Sequence, residues 1–105
     1  MTIEDPNVVD FLSLISDEVV LTVSDHLDWQ DELAHLADLQ EKVNRYLAFV
    51  ESGEMVDRSP EAAGRAVRID IAFKHPPPDH ARQHFLEPAA ATIHHAGMRL
   101  TWRVV

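Results

Sequence analysis

A long amphipathic segment limits the folds that are open to this chain. Between residues 29 and 52, apolar side chains recur at intervals of three and four, at Leu33, Leu36, Leu39, Val43, Tyr46, Leu47 and Val50. This spacing predicts one α-helix with a single apolar stripe. Asp28 is placed to cap its N-terminus, and Gly53 is placed to end it. Such a helix needs a second layer to cover its stripe, and the rest of the chain has to supply that layer.

Four apolar segments predict the strands of the second layer. Residues 8–15 and 19–23 flank a polar break and predict a β-hairpin. Apolar and polar residues alternate over residues 67–73 and again over 98–104, which predicts two strands with one buried face each. Residues 79–96 predict a second helix, in which Pro88 should cause a kink or a break near Glu87.

These elements follow one another in the order β-β-α-β-α-β. They predict a single domain, residues 1–105, folded as an α+β two-layer sandwich with a four-stranded, mostly antiparallel sheet and both helices on one face. The other face would expose a basic strip that consists of Arg68, Lys74, Arg99 and Arg103. The strip lacks the outward aromatic side chains on which single-stranded nucleic acid stacks, so we expect no nucleic-acid partner.

The composition indicates the cellular compartment in which the protein is expected. The chain contains no cysteine, which excludes disulfides, thiolate metal sites and a cysteine nucleophile and fits a reducing compartment. Its first residues are acidic and do not resemble a secretory signal, and no apolar run approaches the roughly 20 residues that span a bilayer. We therefore expect a cytoplasmic protein without a membrane partner.

The charge is unevenly distributed along the chain. Residues 1–64 contain 15 of the 18 acidic side chains and only three basic ones, whereas residues 65–105 contain three acids and six bases. The first part therefore carries a formal charge of -12 and the last part +3. A concentrated acidic surface repels nucleic acid and attracts basic partners, so the sequence favours a protein-binding role.

The sequence shows no arrangement that predicts catalysis. Ser24, Asp25 and His26 are adjacent in sequence, whereas the members of a catalytic triad normally converge from separate segments. The chain also has no glycine-rich phosphate loop, so we expect neither an enzyme nor a cofactor. His80 and His84, four residues apart on the second predicted helix, could both face one metal ion, although a complete zinc site needs three or four ligands. A metal-binding protein that depends on these two histidines remains an alternative, beside the simpler interpretation of surface histidines.

Three segments resemble a known but uncharacterised family of small stand-alone bacterial proteins. They are residues 4–10, 19–29 and 39–54, which include the sequences SDHLDW and LQEKVNRYLAFVESGE. The resemblance covers most of residues 3–75, and it implies a bacterial cytoplasmic protein. The family is a domain of unknown function, so the resemblance implies no catalytic residues.

By analogy with other small acidic proteins, we expect an immunity protein that neutralises a basic bacterial toxin. The predicted partner contacts are acidic residues of the first helix and of the turn before it, with two neutral neighbours: Asp25, Asp28, Asp31, Glu32, Asp38, His26 and Gln30. The alternative is a regulatory or housekeeping homodimer whose apolar surface carries the contact.

Overall fold

Four strands form one sheet in the computed structural model, which describes residues 11–15 and 17–105. They are β1 (Phe11–Ile15), β2 (Glu18–Asp25), β3 (Ala66–Phe73) and β4 (Arg99–Val104), in the spatial order β1-β2-β3-β4. β1 and β2 form the predicted hairpin, with Ile15 paired to Glu18. Residues 8–10 of the first predicted strand lie outside the described residues.

The sheet is mixed, so the prediction of a mostly antiparallel sheet is wrong. β1 pairs with β2 antiparallel, but β2 pairs with β3 and β3 with β4 in parallel. A helix that follows a strand carries the chain back to the end of the sheet at which that strand began. The next strand therefore runs parallel to the first. Such strand–helix–strand connections are almost always right-handed. The connections from β2 to β3 and from β3 to β4 cross the sheet in the same direction, so their helices lie on the same face.

The first helix, α1, spans Glu32–Glu51 and therefore begins three residues later than predicted. Its N-cap is Asp31, whose side chain accepts a hydrogen bond from the Ala34 N–H at 3.2 Å. Asp28, the predicted cap, instead accepts from the Gln30 N–H at 3.1 Å and closes a turn before the helix. Gly53 ends α1 as predicted, with a left-handed φ of 86°.

Helical turns also occupy the segment between α1 and β3. α2 spans Glu54–Arg58, and a 3₁₀ turn follows over Pro60–Ala62. Among the described residues, no helix combines the length and apolar character that crossing a bilayer requires.

The second predicted helix is continuous but changes its winding. It consists of α3 (Asp79–Ala81), a π-helical turn (Arg82–Leu86) and α4 (Glu87–His95). Pro88 has no N–H to donate to the carbonyl four residues earlier, and its ring crowds that carbonyl. The predicted irregularity near Glu87 is therefore a wider turn before the proline, and the helix does not break.

The core lies between the helices and one face of the sheet. It contains the inward residues of the strands, such as Leu21, Ile69 and Ile71, and the buried faces of both helices. The helical members include Leu39, Val43, Tyr46, Phe49, Leu86 and Ile93. Trp29 and Trp102 are half-buried and pack against this cluster.

The opposite face of the sheet carries alternating charges, not a basic strip. The Glu18 carboxylate accepts from Arg68 Nε at 3.1 Å and from Arg99 Nη2 at 2.7 Å. The Asp70 carboxylate accepts from Arg103 Nε at 2.8 Å and from the Thr101 hydroxyl at 2.7 Å. The hydrogen bond from Arg99 holds the pKa of Glu18 below its ordinary value. Three of the four cations of the predicted strip are thus paired with acids on other strands of the sheet.

Candidate functional site

The predicted contact residues lie where β2 ends and α1 begins. β2 ends at Asp25 and the neighbouring parallel strand β3 ends at Phe73, and the Lys74 N–H donates to the Asp25 carbonyl at 2.9 Å. Functional groups of α/β proteins gather at the carboxyl ends of parallel strands, because loops there leave the sheet side by side. The turn between β2 and α1 therefore lies where a functional site is expected.

A buried carboxyl–imidazole pair lies beneath this turn. Asp25 and His35 are each 2% exposed, and Asp25 Oδ2 lies 2.5 Å from His35 Nε2. The other carboxyl oxygen of Asp25 accepts from the Leu27 N–H at 3.1 Å. His35 Nδ1 lies 2.9 Å from the Asp28 carbonyl oxygen. His35 therefore joins the end of β2 and the following turn to the first turns of α1.

The hydrogen bonds restrict the protonation of this pair. A carbonyl oxygen only accepts, so His35 Nδ1 carries a hydrogen. Nε2 then either donates to an ionised Asp25 or accepts from a protonated one. Burial raises the pKa of Asp25, and the hydrogen bond with His35 opposes this rise. Because both ring nitrogens are engaged, neither can take a proton from a substrate in this geometry, and the pair holds the turn in place.

Trp29 covers the pair from outside. Its ring stacks on the imidazole of His35 with the centroids 3.7 Å apart and the planes 22° apart. Its indole N–H donates to the His75 carbonyl at 3.1 Å, just beyond the end of β3. The turn is therefore attached both to α1 and to the segment after β3, which fixes the backbone that carries Asp28 and Asp31.

Most of the predicted contact residues lie at the surface around this turn. His26, Asp28, Gln30 and Asp31 are exposed, and Glu32 and Asp38 are half-buried. Asp25 is the exception, since its carboxyl is enclosed and bonded to His35. This burial leaves little of the Asp25 carboxyl for a partner to contact, and the local sequence did not indicate it.

An apolar patch lies beside these acids. Leu33, predicted to belong to the buried stripe, is 78% exposed, and Ala34 and Ala37 are exposed as well. At about 100° per residue, the two alanines lie between Leu33 on one side of the helix and Asp38 on the other. We call this set, with the acids of the preceding turn, the α1 surface: Asp28, Asp31, Leu33, Ala34, Ala37 and Asp38. The spacing of apolar residues did not predict this surface. Leu33 lies three residues before Leu36, which fits a buried helical stripe, and the spacing alone cannot show that Leu33 is exposed.

The two histidines on which the metal-binding alternative depends also lie together. The rings of His80 and His84 have their centroids 4.4 Å apart. His80 Nδ1 lies 2.6 Å from the Glu32 carboxylate, which connects the C-terminal helix to the first turn of α1. Within residues 11–15 and 17–105, no three histidine, cysteine, aspartate or glutamate side chains converge in a way that could hold a metal ion.

The comparisons with known proteins agree with the resemblance found in the sequence. No curated protein and no solved structure matches the chain. The model of one protein family, described as "Family of unknown function (DUF6572)", matches residues 1–105. The chain therefore belongs to DUF6572, a family of unknown function.

Proposed function

We propose that this protein is a non-enzymatic binding module that attaches to a basic partner protein through the α1 surface. We further propose that it is an immunity protein and that the partner is a bacterial toxin. The observation that supports the binding role is the 78% exposed side chain of Leu33, beside two exposed alanines and bordered by acids.

The α1 surface has an apolar centre with acidic residues around it. Interfaces combine an apolar centre that loses its water with a polar rim that stays partly hydrated. Leu33 provides such a centre, and the small side chains of Ala34 and Ala37 let a partner approach the helix closely. Burying a leucine side chain contributes about 1.5–3 kcal/mol, which is large enough to make Leu33 an energetic anchor.

The acids contribute mainly to the rate and selectivity of association. The formal net charge of -9 creates a long-range field that attracts basic proteins, and Asp28, Asp31 and Asp38 place part of this charge at the α1 surface. The buried Asp25–His35 pair holds the turn before α1, so little conformational entropy is lost when a partner binds there.

The toxin assignment is an analogy, and the acidic charge of the protein supports it. Proteins that act on nucleic acid present basic grooves, and an acidic protein with an apolar anchor can occupy such a groove. An inhibitor of this kind needs complementarity and a slow dissociation rate, and it needs no catalytic group.

The test uses the protein encoded by the adjacent gene as the candidate partner. The acidic variant combines Asp28→Asn, Asp31→Asn and Asp38→Asn, because asparagine keeps the side-chain oxygens that accept from Gln30 and Ala34. A matched control removes three remote, exposed charges with Asp17→Asn, Glu51→Gln and Asp57→Asn. We expect the acidic variant to associate roughly 10-fold more slowly at low salt than the control, with dissociation nearly unchanged.

Leu33→Asp tests the apolar centre separately. It should accelerate dissociation and leave the free energy of unfolding unchanged, since the side chain is exposed. Equal binding by parent, acidic variant and Leu33→Asp would show that another surface is used. A neighbour that fails to bind the parent protein, or that is not toxic when expressed alone, would contradict the immunity assignment.

A further inference from the structure

We propose that His80 and His84 form a surface site for one divalent transition-metal ion, with Glu32 as the carboxylate that orients His80. The site is independent of the partner surface proposed above. Its metal would belong to the group that imidazole nitrogen favours, namely zinc, nickel and copper, and not to the oxygen-preferring group of magnesium and calcium.

The helix brings the two imidazoles together. His80 lies in α3 and His84 lies in the π-helical turn, and their ring centroids are 4.4 Å apart with the planes 38° apart. A π turn contains more residues than an α turn, so two residues four apart lie more nearly in line along the axis. Both side chains are exposed, and we expect rotation of the His84 side chain to bring one of its nitrogens toward an ion bound by His80.

Glu32 selects the nitrogen of His80 that would bind the metal. The Glu32 carboxylate accepts from His80 Nδ1 at 2.6 Å, so Nδ1 carries the hydrogen, and in the neutral ring Nε2 is the nitrogen whose lone pair would bind the metal. Histidine ligands typically donate their second ring N–H to a carboxylate in this way, which fixes the ring and raises its basicity. Glu32 lies in the first turn of α1 and is half-buried, so it can hold the ring of His80 in a constant orientation.

The surrounding charges are compatible with a bound cation. Arg82, which lies between the two histidines in sequence, pairs with Asp79 at 3.0 Å and approaches Glu87 at 3.7 Å. Its positive charge is therefore balanced by two carboxylates. Because the part of the chain that the structure describes supplies two ligands at the site, water would occupy the remaining coordination positions, which makes the site open and of moderate affinity.

His94 and His95 provide a matched control. They are adjacent on α4, and their rings are 6.3 Å apart with the planes 63° apart. Neighbouring residues on a helix point about 100° apart, so these two imidazoles cannot readily chelate one ion. The two pairs contain the same number of histidines and differ in geometry.

The experiment measures ZnCl₂ and NiCl₂ binding to untagged protein by calorimetry, with each variant's fold checked by circular dichroism in the presence of a chelator. We expect one ion per chain, with an affinity at least 10-fold weaker in His80→Ala and in His84→Ala and unchanged in the His94→Ala, His95→Ala double variant. The proposed site would be contradicted if affinity fell equally in the variants of both histidine pairs. It would also be contradicted if binding were unchanged in the variants of His80 and His84. Should His80→Ala fail the folding check, His84→Ala decides the result on its own.

The role of Glu32 is tested with Glu32→Gln. We expect affinity to fall about 10-fold, as for other partners of metal-binding histidines. Long-range ¹H–¹⁵N spectra of the imidazole should show His80 with its hydrogen on Nδ1 in the parent and a mixture of tautomers in the variant. Unchanged affinity and an unchanged tautomer would show that Glu32 does not orient the ligand.

Discussion

Replacing His35 with alanine should destabilise the protein more than any change at its surface. The ring of His35 bonds to Asp25 and to the Asp28 carbonyl, and it stacks under Trp29. Its removal leaves the Asp25 carboxyl buried, with the Leu27 N–H as its remaining hydrogen bond among the described residues. The main cost is therefore an uncompensated buried acid.

The size of the effect follows from the burial of both partners. Removing one partner of a buried ion pair typically costs about 3–5 kcal/mol, which applies where Asp25 is ionised and His35 carries a hydrogen on both nitrogens, and loss of the ring stack adds about 0.5–1.5 kcal/mol. Because such contributions overlap, we expect His35→Ala to lower the free energy of unfolding by about 3–5 kcal/mol. A small domain has only about 5–15 kcal/mol in total, so the variant should be close to unfolding at 37 °C.

Asp25→Asn is the matched comparison. The amide keeps the acceptor for the Leu27 N–H and can donate to a neutral His35 Nε2, so it should cost less than about 1.5 kcal/mol. Burial raises the pKa of Asp25 above its unfolded value, so the folded state binds the proton more tightly. The stability from this group is present at low pH and declines as pH rises from the ordinary aspartate range through the raised pKa. The asparagine variant should lack that decline.

Urea denaturation followed by circular dichroism measures both variants across pH. The slope of the free energy against urea should stay constant, so that midpoint shifts report stability. A His35→Ala variant within about 1 kcal/mol of the parent would refute the reasoning, as would an Asp25→Asn variant that is less stable than His35→Ala. Either result would mean that the pair does not hold the turn before α1.

Three further changes test the core, the end of α1 and the outer face of the sheet. Ile69→Ala removes a fully buried side chain and should cost about 2–5 kcal/mol in the same urea assay. Gly53→Ala places a side chain at a φ of 86° and should cost about 1–2 kcal/mol in thermal unfolding, although the space around it is open. The pKa of Glu18 is lowered by Arg99, so its stabilisation is present above the ordinary glutamate range and lost as pH falls through the lower folded value. Acid titration of Glu18→Gln should therefore show a smaller loss of stability in that range than the parent shows.

Local periodicity was enough to predict the elements but not the way they pair. The helix α1 and the glycine that ends it were confirmed, as was a four-stranded sheet with helices, whereas Leu33 of the predicted apolar stripe is exposed. Strand direction was predicted wrongly because each alternating strand was considered alone. The order strand, helix, strand contained the information, since a helix between β2 and β3 favours parallel pairing.

The candidate sites depend on contacts between distant residues, which one sequence does not reveal. Asp25 and His35 belong to different elements, and Glu32 meets His80 across 48 positions of sequence. Each acid resembles an ordinary solvated carboxylate when its neighbours in sequence are considered. Leu33 shows the converse, because its spacing fits the buried stripe and only the packing of α1 on the sheet places it in solvent.

The charged face of the sheet has a consequence for the order of folding. Glu18 meets Arg68 from 50 positions along the chain and Arg99 from 81 positions along the chain. Together, the two hydrogen bonds of Glu18 require β2, β3 and β4 to be paired in register, which brings together the ends of both connecting segments. In contrast, α1 and the β1–β2 hairpin contain contacts between residues close in sequence and can form locally. The network therefore belongs to the last part of the folding reaction. Its variants should leave the refolding rate almost unchanged and accelerate unfolding, so that Glu18 and its arginines govern how long the native state survives.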